Sequence, residues 1–164
     1  MTGAADLYRQ LAPAVLGYLR SQRAPDPEDL LGEVFLQVAR DLPRFKGEPT
    51  ALRGWVFAIA RNRLLDARRR ASRRPVVATD EVPDVPEVSG PAEPFDPELL
   101  AALAQLTPDQ REVIGLRFVA DLALEDVARI TGRKVGAVKA MQHRALAQLA
   151  RILDVPSGAE GDDD

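Results

Sequence analysis

The chain has 164 residues, no cysteine and a single histidine, His143, which excludes a disulfide framework and any Cys- or His-cluster metal site. Met1–Asp6 show no basic-then-apolar signal pattern and no apolar run approaches membrane-spanning length, so a cytoplasmic protein without membrane contact is expected. The net charge of −3 hides a partition: residues 1–74 carry net +6, 75–98 net −7, 99–153 net +3 and 154–164 net −5. Two basic modules flank an acidic stretch, an arrangement that suits nucleic acid better than the overall acidity suggests.

In chain order, a first helix is predicted over Asp6–Ser21, with Leu7, Leu11, Val15 and Leu19 four apart on one face. A break at Ala24–Asp29 restarts the helix, with Asp26 as N-cap and Pro27 at the first position. The second helix runs to about Leu42 on a stripe of Leu31, Val34, Phe35, Val38 and Leu42. Its other side, Asp29, Glu33, Gln37 and Arg40, reads either as plain solvent face or as a partner surface. Pro43–Thr50 is a loop, and a third helix spans about Ala51–Arg70.

That third helix ends in arginine. Arg61, Arg63, Arg68, Arg69, Arg70, Arg73 and Arg74 oppose one acid, Asp66, in fourteen residues. Such self-repulsion is heavy for a structural face, and arginine binds phosphate in bidentate fashion, so a nucleic-acid backbone site is favoured. Trp55, near the helix start, reads first as core; stacking on an unpaired base is the alternative. Phe45, in the loop beside Arg44 and Lys46, is the second stacking candidate.

Residues 75–96 hold five prolines, scattered valines and acids, and read as an extended linker. A helix restarts at Pro97–Gln105. Thr107-Pro108-Asp109-Gln110 is a capping box opening a helix to about Val119. Leu124–Ile130 and Lys134–Leu153 form a helix-turn-helix: Ala128 is small enough for a close crossing, Gly132 suits the left-handed turn, and Val138 faces inward. Lys134, Lys139, His143 and Arg144 lie off the apolar face, where they meet a major groove or plain solvent. Residues 154–164 read as an acidic disordered tail. The fold class is therefore all-α: two small helical domains, 1–74 and 97–153, joined by the acidic Pro-rich linker. No catalytic constellation is evident, and no enzyme is expected.

Taken together, the strings DPEDLLGEVFLQVARDLPRF, LRGWVFAIARNRLLDARRR and LAQLTPDQREVIGLRFVADLALEDVARITGRKVGAVKAMQHRAL resemble the extracytoplasmic-function (ECF) sigma factors of bacterial RNA polymerase. The resemblance covers about residues 5–153 and implies a region 2-like and a region 4-like domain. It implies that Asp29, Glu33, Gln37 and Arg40 grip the polymerase β′ clamp helices, with the β flap as a further contact. It implies that Phe45 and Lys46, with Trp55 beside them, serve capture of a flipped −10 base. Arg61, Asn62, Arg63, Asp66 and Arg69 would then bind promoter DNA, and Arg133, Lys134, Ala137, Lys139, His143 and Arg144 would read the −35 element. The acidic linker resembles the segment that relatives thread toward the polymerase active centre.

The recognition-helix start, Lys134-Val135-Gly136-Ala137-Val138-Lys139, departs from the Ser and G-T-V-K string of many relatives, as do Ala140 and Gln142, which leaves the −35 preference open. The expected partners are core polymerase and promoter DNA, with an anti-sigma factor left open and no cofactor. Two other readings are a conventional helix-turn-helix regulator and an anti-sigma or adaptor-like protein acting by protein contact. The arginine cluster counts against the first and the recognition helix against the second.

Overall fold

The computed structural model describes residues 3–73 and 96–154. Arg74, the linker up to residue 95 and the tail after Asp154 lie outside the described residues, and with them the expectations placed there. Among the described residues, seven α-helices and no strand are present.

Helix α1 (Ala4–Ser21) buries Leu7, Leu11, Val15, Tyr18 and Leu19 along one face. Asp6 accepts from the Gly3 amide at 3.4 Å, satisfying one of the free donors of the first turn. Helix α2 (Pro27–Asp41) buries Leu30, Val34, Phe35 and Val38, with Leu31 and Leu42 only partly covered. Asp26 holds the N-cap position but makes no side-chain cap bond. Its backbone turns left-handed instead, at φ 46° and ψ 62°, a conformation that Asp tolerates better than most residues.

The expected loop at Pro43–Thr50 contains two short 3₁₀ turns, Leu42–Arg44 and Pro49–Ala51. Helix α3 (Leu52–Arg73) then crosses the core, with Val56, Phe57, Ala60 and Leu64 almost fully buried. Tyr18 and Phe57 meet edge to face, ring centroids 5.8 Å apart. Burial of each such side chain contributes about 1.5–3 kcal/mol.

Helix α4 (Pro97–Ala104) is capped by Asp96, which accepts from the Leu99 amide at 2.9 Å. Helix α5 (Pro108–Ile114) opens with the capping box read from sequence: Thr107 Oγ1 accepts from the Gln110 amide (3.1 Å) and Gln110 Oε1 from the Thr107 amide (3.2 Å). It widens over Gly115–Val119 into a π-type turn, where the Ala120 amide reaches back to the Gly115 carbonyl at 2.9 Å.

Helices α6 (Leu124–Thr131) and α7 (Val135–Ile152) form the helix-turn-helix. Gly132 stands at φ +72°. The Arg133 amide bonds the Ala128 carbonyl (3.0 Å) and the Gly132 amide the Arg129 carbonyl (3.4 Å), the paired bonds of a Schellman turn.

The core was not foreseen in one respect. Val113, Leu116, Ala120, Leu122, Val127, Ala128 and Val138 belong to the same apolar cluster as the cores of α1–α3. A second, smaller cluster joins Ala102, Leu103, Leu106, Ile114, Ala145 and Leu149. The two helical groups therefore pack on each other.

Candidate nucleic-acid and polymerase interfaces

Helix α7 is anchored along one side. Val138 and Ala145 are fully buried and Leu149 nearly so. The 3.6-residue period then turns Lys134, Ala137, Lys139, His143 and Arg144 outward, and all five are exposed. The sixth expected −35 residue, Arg133, differs. It is half-buried and pairs with Asp109 at 3.1 Å, tying the turn to the start of α5. Sequence reading missed Val135, which is 40% exposed at the first turn of α7. An exposed apolar residue beside cations suits a thymine methyl, and its position just after the turn was the available signal.

The arginine-rich half of α3 divides by direction. Asn62, Asp66 and Arg69 are exposed, and Arg69 pairs with Asp66 at 2.8 Å. Arg63 turns toward α2, donating to Gln37 Oε1 at 2.8 Å and lying 3.9 Å from Glu33. Arg61 turns toward the second helical group: its Nε donates to Glu112 and its NH1 to the Ile130 carbonyl (3.2 Å). Arg68 donates to the Gln22 carbonyl at 2.6 Å. The helix is thus partly an internal clasp, where the sequence favoured a nucleic-acid backbone site for the arginine run.

Phe45 and Trp55 come together. Their ring centroids lie 5.1 Å apart at 50°, and both are half-buried, while Lys46 beside them is exposed. A Cβ on Gly47 would lie 2.8 Å from the tip of the Phe45 ring, so the glycine lets that ring lie close over the loop. Phe45 is therefore less free than a loop position suggested.

On α2, Asp29 and Arg40 are exposed. Glu33 and Gln37 are half-buried by their contacts with Arg63, and Glu33 also lies 3.9 Å from Arg70. Leu36 stands on the same side, three residues after Glu33 and four before Arg40, and is 71% exposed. The apolar stripe read from sequence passed over it, since its spacing points away from the core.

Burial perturbs two groups. Tyr18 has its phenol pushed above the ordinary range by desolvation and then by the nearby Glu112 charge. Arg111 is lowered by burial and by Arg68 and Arg23. The Arg111 NH1 donates to the carbonyls of Leu103 (3.4 Å), Ala104 (3.4 Å) and Leu106 (3.1 Å), so this cation seats the negative end of α4. No group of three or more His, Cys, Asp or Glu residues placed to hold a metal occurs among the described residues. Among them, too, no helix is long and apolar enough to cross a membrane.

Comparison with known proteins decides the family. Residues 7–74 match sigma-70 region 2 and residues 97–149 match sigma-70 region 4. The chain is similar to the ECF RNA polymerase sigma factor ShbA of Streptomyces griseus, 36% identical over 165 residues covering 91% of this chain and 86% of that protein. This chain belongs to the ECF sigma factors. It is also similar to the ECF sigma factor BldN of Streptomyces coelicolor, 34% identical over 155 residues covering 90% of this chain and 59% of that protein. Among solved structures, the sigma factor RpoE of Bartonella quintana, crystallised with the anti-sigma factor NepR, superposes with a TM-score of 0.72 and 27% identity. The match covers 91% of this chain and 95% of that one. The ECF sigma factors are promoter-recognition subunits of RNA polymerase and not an enzyme class.

Proposed function

We propose that this sigma factor holds the −35 element through the outward face of α7 and the −10 region through the Phe45–Trp55 pair and the exposed part of α3. The observation that carries the first assignment is the α7 face itself. Four side chains able to bind phosphate or base edges, Lys134, Lys139, His143 and Arg144, project from a helix whose opposite side is locked in the core. The aromatic pair with exposed Lys46 supports trapping of an unpaired base, because a ring face and a nearby cation serve any base and its phosphate. That trapping assists melting of the −10 region.

Core polymerase binds on the outer side of α2, through Asp29, Leu36 and Arg40, with Glu33 and Gln37 held in place by Arg63. An exposed leucine ringed by charge is the kind of anchor that a partner helix covers. The chain works in the cytoplasm, where the polymerase is. An anti-sigma factor is proposed as a further partner, since RpoE of B. quintana was crystallised with one. The two helical groups, 1–74 and 97–153, act as the separate promoter-binding modules.

In vitro transcription with core polymerase over a genomic promoter library tests this. Promoter-directed initiation is expected, lowered by Lys139→Ala and Arg144→Ala through the −35 element and by Glu33→Ala and Leu36→Ala through polymerase binding. Unchanged initiation in all four variants removes the assignments.

A further inference from the structure

Val135 opens α7 directly after Lys134 at the N-cap and leaves 40% of its surface exposed. It belongs to neither apolar cluster, whereas Met141 on the same helix packs against the larger one. Valine is a poor choice for an exposed helical position, because its branched side chain loses rotamer freedom there and alanine would form the helix better. No core contact offsets that cost.

Single exposed apolar residues are common on protein surfaces, so exposure alone decides nothing. The position does. In a helix-turn-helix the N-terminal residues of the second helix reach base edges. Here that end holds Val135, Gly136 and Ala137, all exposed, and then Val138, which is fully buried. Four consecutive side chains therefore carry no hydrogen-bond donor or acceptor. Lys134 and Lys139 are exposed at either end of this stretch and can take phosphate or a guanine edge. Between them, the one base feature these side chains can sense is the thymine C5-methyl, the apolar group of the major groove. Val135 and Lys139 stand four residues apart on one face of the helix, so a valine methyl and an ammonium reach neighbouring parts of one duplex. Leu146, another large apolar residue exposed on α7, stands eleven residues further along, about 16 Å from that end.

We propose that Val135 is a specificity-determining residue. It packs on the C5-methyl of a thymine in the −35 element, so that this sigma factor selects a thymine-bearing base pair at one position of that element. The proposal rests on the promoter-binding reading above and names the base chemistry that the first turn of α7 reads. The contact is apolar on both sides, and burial of one methyl is worth about fourfold in affinity.

Deoxyuridine substitution tests it, because uracil lacks the methyl and keeps Watson–Crick pairing. Holoenzyme assembled from core polymerase and the full chain first selects a −35 element from a randomised duplex. Each thymine of that element, on either strand, is then replaced in turn by deoxyuridine, and promoter-complex formation is measured for the parent and for Val135→Ala. At one thymine the parent should lose about fourfold on replacement and Val135→Ala should lose nothing. On the unmodified duplex Val135→Ala should itself bind about fourfold more weakly than the parent. The substitution exchanges an exposed valine for a better helix former, so the variant should fold with a thermal midpoint no lower than the parent's. A merely structural role for Val135 would leave the uracil penalty in place.

A selected element with no methyl-sensitive thymine, or a uracil penalty equal in parent and Val135→Ala, overturns the proposal. Failure of the parent holoenzyme to initiate at any promoter instead refutes the sigma reading. Initiation without a methyl effect refutes only the assignment to Val135.

Discussion

Two glycines four residues apart make opposite predictions. Gly132 sits at φ +72° and ψ 25° with nothing within 4 Å of where a Cβ would stand. Gly136 lies in the first turn of α7, also with open space around it. Packing is therefore removed from the comparison, and only backbone conformation differs. Alanine in the left-handed region costs about 1–2 kcal/mol, offset by about 0.4–1 kcal/mol from restricting the unfolded chain. Gly132→Ala should thus destabilise by about 1 kcal/mol. Gly136→Ala should stabilise by about 0.5–1 kcal/mol, since a helical site prefers alanine. The gap of about 2 kcal/mol corresponds to roughly 4–8 °C between the two midpoints for a chain of this size. Equilibrium urea unfolding and calorimetry of the parent and both variants measure it. Gly132→Ala as stable as the parent, or no less stable than Gly136→Ala, refutes the claim that this turn is fixed by glycine's left-handed backbone. The Schellman bonds from Arg133 and Gly132 to α6 set the direction in which α7 leaves the turn. Gly132→Ala should therefore also weaken −35 binding in a gel-shift assay, while Gly136→Ala gives the pure stability effect.

Tyr18 yields a pH prediction. Burial holds its phenol protonated above the ordinary range, and its hydroxyl has no hydrogen-bond partner among the described residues. The unfolded chain releases that proton near about pH 10 while the folded chain keeps it, so this stabilisation is complete below about pH 10 and is lost as pH rises beyond it, by up to about 1.4 kcal/mol per unit. Tyr18→Phe should flatten that alkaline slope and be neutral or slightly stabilising at pH 7, as read by urea unfolding from pH 7 to pH 12. Thr107→Ala removes the cap of α5 and should cost about 1 kcal/mol, seen as a drop of about 2–4 °C in the calorimetric midpoint. Lys139→Ala, if it loses a phosphate contact, should lower the salt slope of −35 binding by about 1, whereas loss of a base contact at Arg144 should relax preference at one position. Titrating binding against salt for matched and mismatched duplexes separates the two.

How much of this was legible in sequence depends on the range of the interaction. Helix ends were readable because they are decided locally: the Thr107–Gln110 box and the Gly132 turn form as the residue types require. Asp26 is the instructive exception. The residue type was right for a cap, but the chain must reverse direction between Arg23 and Pro27, and both Arg23 (φ 59°) and Asp26 (φ 46°) are spent on that reversal. The exposed face of α7 followed from helical period alone. The division of the α3 arginines did not, because period fixes which side a residue occupies but not what lies opposite it.

Arg61 shows why the packing of the two helical groups escaped sequence reading. A run of cations reads as a site for an external polyanion whenever no acid lies within a turn or two, and Asp66 is too little to neutralise seven arginines. The neutralising acid, Glu112, is 51 residues away on another helix. The glycine that lets it approach, Gly115, looks in sequence like a weak point in the helix. Its use appears only when Tyr18, Ser21 and Gln22 are set against it. The arginine run therefore contains a member, Arg61, whose partners are internal.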